Sequence, residues 1–160
     1  MRRPLQFTVV AGLAAIVSSL ILPAASVSQR LPFNHAKHAP LTCAGCHAGA
    51  KTAQHAGFPP PAVCDKCHAT APASVASADW KQLQTTGVRF WKPVTSVPDH
   101  VMFSHRRHVA LAGLACESCH GDIGRRTTPP GRAPVRLVMD TCLACHRTEG
   151  ASEDCNGCHR

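Results

Sequence analysis

Five times the chain sets two cysteines three positions apart with a histidine directly after the second. The copies are Cys43, Cys46 and His47; Cys64, Cys67 and His68; Cys116, Cys119 and His120; Cys142, Cys145 and His146; Cys155, Cys158 and His159. Two thiols at this spacing can add to the two vinyl groups of one porphyrin, and the adjacent imidazole then reaches the iron as proximal ligand. Five covalently bound haem c groups are therefore expected. Disulfides, the usual use of ten cysteines outside the cytoplasm, do not require a histidine after every pair. Zinc knuckles pair off in twos, have no use for that histidine, and would leave exposed thiolates at risk in an oxidising compartment.

An iron has two open faces once it sits in a porphyrin, so each proximal histidine calls for a partner. Six histidines remain: His35, His38, His55, His100, His105 and His108. Four of them fall in two matching phrases, Phe33-Asn34-His35-Ala36-Lys37-His38 and Phe103-Ser104-His105-Arg106-Arg107-His108, each a few residues ahead of a haem motif. Two histidines three apart on a helical face are often plain surface residues, but the duplication with phenylalanine two positions ahead marks a used pattern. His35, His38, His105 and His108 are thus candidate distal ligands. His55, in a proline-rich loop, and His100, after Asp99 in a turn, are read as exposed or propionate-bonded histidines that remain alternatives for the fifth distal position.

The elements that position these groups must be short. Only 4% of the 160 residues are aromatic, while 13 are proline and 11 glycine, so side chains alone supply little core. A mainly α fold with much irregular structure and little or no sheet is expected, its core formed by the haems. Residues 27–160, shared among five haems, leave about 27 residues for each. The chain divides into an N-terminal segment 1–26, a two-haem part 27–70, a connector 71–98 and a three-haem part 99–160. The connector holds Trp80, Phe90 and Trp91, which read as packing residues that clamp the two parts. Residues 121–134, with Arg125, Arg126 and Arg132, read as an exposed basic loop.

Arg2 and Arg3 precede an uncharged, mostly apolar run at residues 7–22, followed by Pro23 and the small residues Ala24, Ala25 and Ser26. That layout is a secretory signal with cleavage near Ser26, the competing reading being an uncleaved anchor. Either way the rest of the chain is expected outside the cytoplasm, in the periplasm. The excess of 17 Lys+Arg over 9 Asp+Glu, +8 for the bare polypeptide, would be largely cancelled by haem propionates. No basic helix interleaved with aromatics accompanies it, which argues against a nucleic-acid partner.

The phrases and haem motifs together resemble the small multihaem class III cytochromes c, in which Phe-x-His-x-x-His precedes the first Cys-x-x-Cys-His of a module. Residues 103–159 resemble a complete trihaem module and residues 33–68 a two-haem version. The stretches TGVRFWKPVTSVPDHVMFSHRRHV, CESCHG, LVMDTCLACHR and EDCNGCHR are similar to the pentahaem subunit of alternative complex III and its relatives in membrane oxidoreductases. The resemblance implies a ligand map: His35 opposite His47, His38 opposite His68, His105 opposite His120, and His108 opposite His146. The third distal position of the module, three residues before Cys142, holds Met139 where trihaem relatives use histidine. This implies Met139 opposite His159, the other reading being a core methionine beside Leu137 and Val138.

If every iron has two protein ligands, none is open to substrate, and the expected task is electron transfer between redox partner proteins, free or within a membrane oxidoreductase. The alternative is a multihaem reductase of a small nitrogen or sulfur compound, with one five-coordinate haem. A third class, a quinol dehydrogenase, would need the N-terminal run as a membrane helix, and membrane contact is expected only if that run is uncleaved.

Overall fold

A computed structural model describes residues 26–86 and 91–159. The apolar run at residues 7–22, with Arg2, Arg3, Pro23, Ala24 and Ala25 of the export signal, and Phe90 lie outside the described residues. Among the described residues no helix is long and apolar enough to cross a membrane.

Short helices alternate with turns, and the described residues form no strand. The α-helices are α1 (Cys43–Cys46), α2 (Pro61–Asp65), α3 (Ser77–Thr86), α4 (Glu117–His120), α5 (Met139–Glu149) and α6 (Cys155–Cys158). Short 3₁₀ turns at Ala36–His38, Ala48–Lys51 and Ile123–Arg125, and a π-helical segment at Arg106–Leu111, complete the regular structure. The mainly α, irregular fold expected from composition is the fold observed.

Five of the α-helices exist because of the cysteine spacing. In four motifs the histidine N–H donates to the first cysteine's carbonyl: His47 to Cys43 at 2.8 Å, His68 to Cys64 at 2.9 Å, His120 to Cys116 at 2.9 Å and His159 to Cys155 at 2.8 Å. That i→i−4 bond closes one α-turn and carries both thiols and the imidazole on it. The fourth motif lies inside α5, which Gly150 ends in the left-handed conformation (φ 64°, ψ 27°), as residues past a helix C-terminus commonly do.

The side-chain core is small. Among the described residues Leu31, Ala50, Trp80 and Leu83 are the buried hydrophobic residues. Trp80 and Leu83 of α3 pack on Leu31, with Cys64, Ala71, Val75 and Trp91 at the margin. Arg30 pairs with Asp79 at 3.3 Å, and Gln29 exchanges side-chain hydrogen bonds with the backbone of Lys92. The connector is thereby laced to the residues that begin the first part.

Contacts also join the residues before the connector to those after it. His105 N–H donates to the Gln54 carbonyl at 3.1 Å, Arg106 N–H to Ala53 at 3.0 Å and Ala36 N–H to Arg126 at 3.1 Å. The segment read as an exposed basic loop is anchored: Gly131 accepts from Val27 at 2.7 Å, and Arg125 pairs with Asp122 at 2.9 Å. The last motif folds back onto residues 101 and 102. Val101 and His159 form an isolated antiparallel bridge, and Met102 N–H donates to the Cys158 carbonyl at 2.8 Å.

Candidate haem sites

Both Phe-x-His-x-x-His phrases fold into the same device. Phe33 meets His35 edge-on (4.7 Å, 82°) and stacks on His38 (4.6 Å, 21°). Phe103 meets His105 edge-on (4.9 Å, 88°) and stacks on His108 (4.6 Å, 24°). The phenyl ring thus holds two imidazoles of one helical turn in two crossed orientations, facing two different partners.

Three of those partners are histidines of the Cys-x-x-Cys-His motifs. Ring centroids are 6.3 Å apart for His105 and His120, with planes 1° apart. They are 6.2 Å apart for His108 and His146 (27°) and for His38 and His68 (56°). His35 interacts electrostatically with His47. His100, from the turn before the second phrase, faces His159 at 5.5 Å and 19°. Met139 is the first residue of α5 and 60% exposed, and His55 is exposed.

The residues fit haem. Two imidazoles bonded at about 2 Å to one metal ion between them have ring centroids roughly 6 Å apart, wider than rings in contact need. Five Nδ1 atoms are committed elsewhere: His47 donates to Gly57 O at 2.6 Å and His38 to Asn34 O at 2.8 Å. His105 donates to Gln54 O at 2.9 Å, His108 to Ser104 O at 2.9 Å and His146 to Ser152 O at 2.6 Å. A carbonyl only accepts, so Nδ1 carries the proton and Nε2 keeps the lone pair a metal requires. Burial lowers the pKa of His35, helped by His47 and His38, and that of His120, helped by His105 and His47. Both shifts favour the neutral form.

No two of the ten cysteines form a disulfide, and the motifs lie close to one another. Burial raises the Cys64 thiol pKa, with Cys46 of the preceding motif adding. Burial raises Cys116 likewise, next to Cys43, with which its side chain hydrogen-bonds. Cys119 is raised by burial and then by Cys145 and Cys142. The first motif therefore lies near the second and against the third, and the third lies near the fourth.

One loop serves two sites. Residues 53–57 supply the Gln54 carbonyl for His105 and the Gly57 carbonyl for His47. It closes through Gly49 N–H on the Ala56 carbonyl at 3.0 Å, and a Cβ on Gly49 would collide with the His55 carbonyl. Gly49→Ala is expected to displace both acceptors at a cost of about 1–3 kcal/mol in stability. In a potentiometric titration followed by electron paramagnetic resonance, two haem signals should move and the others stay. These carbonyls escaped sequence reasoning, because a backbone acceptor has no residue type; Gly49 was the one available signal.

No curated protein matches the chain. Residues 101–160 match the family model described as cytochrome c7 and related cytochrome c, which supports a multihaem cytochrome c with covalently bound haem c, whose work is electron transfer.

Proposed function

We propose that the chain is an exported pentahaem c-type cytochrome that passes electrons between redox partner proteins of the periplasm. The role favoured is that of a respiratory-chain component or a subunit of a membrane oxidoreductase, the resemblance to the pentahaem subunit of alternative complex III being its support. When bound, haem supplies one-electron chemistry at iron. Ten cysteine thiols hold the groups: Cys43 and Cys46, Cys64 and Cys67, Cys116 and Cys119, Cys142 and Cys145, and Cys155 and Cys158. His47, His68, His120, His146 and His159 would each bind the iron of their own motif's haem, and His35, His38, His105 and His108 would complete the ligation of the first four.

The observation that carries this reading is the facing of imidazoles across a gap of one metal ion. A chain that fills both axial sides with its own histidines reserves no side for a substrate, and the carbonyl bonds at Nδ1 hold those rings in place. A reductase would need at least one proximal histidine without a partner.

The test is the intact mass of the exported protein together with carbon monoxide titration of its reduced form. The expected result is a polypeptide carrying five haems that binds no carbon monoxide. Four haems or fewer would sink the pentahaem reading, and one carbon monoxide per chain would favour the reductase.

A further inference from the structure

We propose that His100 is the distal ligand opposite His159, so that the fifth haem is held by two imidazoles and Met139 is not a ligand. The proposal rests on the pentahaem reading and goes beyond the family match, because His100 stands one residue ahead of the matched segment 101–160.

The backbone places the ring. Val101 N–H donates to the Pro98 carbonyl at 2.9 Å, closing a tight turn with His100 at its third position. Directly after the turn, Val101 pairs with His159 and Met102 N–H bonds the Cys158 carbonyl. The turn is thereby pinned against the last turn of the fifth motif, and the His100 ring lies nearly parallel to that of His159 with centroids 5.5 Å apart. Rings bonded to one metal ion stand roughly 6 Å apart, and the pair is within about half an ångström of that spacing. His100 lies in an exposed turn and can shift outward slightly, as the metal requires.

Chemistry favours the same assignment. A histidine opposite His159 gives this site the donor set seen at the other facing pairs. Met139 is the first residue of α5, the helix that carries the fourth motif rather than the fifth.

The experiment uses the exported, haem-loaded full chain in four forms: wild type, His100→Ala, His100→Met and Met139→Leu. Peptide mapping by mass first establishes haem on Cys155 and Cys158; its absence there in the wild type would overturn the pentahaem reading and this proposal together. With that haem present, the wild type should lack the weak near-infrared band that methionine sulfur gives to ferric haem, and Met139→Leu should leave every spectrum unchanged. His100→Ala should keep the haem count, turn one haem high-spin and raise carbon monoxide binding from none to one per chain. His100→Met should create the near-infrared band and raise one midpoint potential. A sulfur band in the wild type that Met139→Leu abolishes, or a fully low-spin His100→Ala protein, overturns the assignment of His100 while leaving the haem count standing.

Discussion

The polypeptide made without haem is expected not to fold. Produced in a cytoplasm that lacks the attachment machinery, it should give a flat near-ultraviolet circular dichroism spectrum, little amide-exchange protection and no cooperative thermal transition. The exported protein should show all three signs of order. The reason is the core: Leu31, Trp80 and Leu83 form its single cluster among the described residues, with Ala50 buried apart. Burial of so few side chains cannot offset the conformational entropy of ordering two spans of chain that together exceed a hundred residues. The helices cannot stand alone either, since most are a single turn, far below the length at which isolated helices persist in water. A cooperative transition in the haem-free chain would show that the polypeptide core suffices.

The second large effect is expected at the second phrase. His105 and His108 face different proximal histidines, His120 and His146, although they sit three residues apart. His105→Ala and His108→Ala should each leave the covalent haem count unchanged, because attachment depends on the cysteines, while one haem becomes high-spin and binds carbon monoxide. The double variant should bind two carbon monoxide molecules per chain. The midpoint potential of the affected haem should rise in each case, since removing a donating imidazole favours the ferrous state. If the double variant binds no more than either single one, the two histidines share a single iron and the phrase has been misread.

Much of this was legible in the sequence. Cys-x-x-Cys-His is a local pattern that closes one helical turn wherever it stands, so its structural meaning travels with the residues. The repeat of Phe-x-His-x-x-His was legible for the same reason: Phe33 and Phe103 each order two imidazoles within their own turn. The packing role of Trp80 followed from the scarcity of other large side chains. The rest depends on residues distant in sequence. His100 meets His159 through backbone pairing across nearly sixty residues, so the sequence offered it as one alternative among three without placing it there. The acceptor carbonyls of Gln54, Gly57 and Ser152 are set by loop closure, which no residue pattern encodes. The loop at residues 121–134 reads as free because its anchors are backbone groups of Val27 and Ala36.

The bridge between Val101 and His159 also joins the two ends of the segment that matches the family model. A unit whose ends meet can be cut out, copied or inserted without stretching its neighbours, which is the geometry that tolerates circular permutation and tandem duplication. Haem-bearing units of this kind lend themselves to addition one after another along a chain. Length, and with it the distance an electron is carried, can then change by whole units, each bringing the residue just ahead of it and a loop carbonyl like that of Gln54 to orient its first histidine.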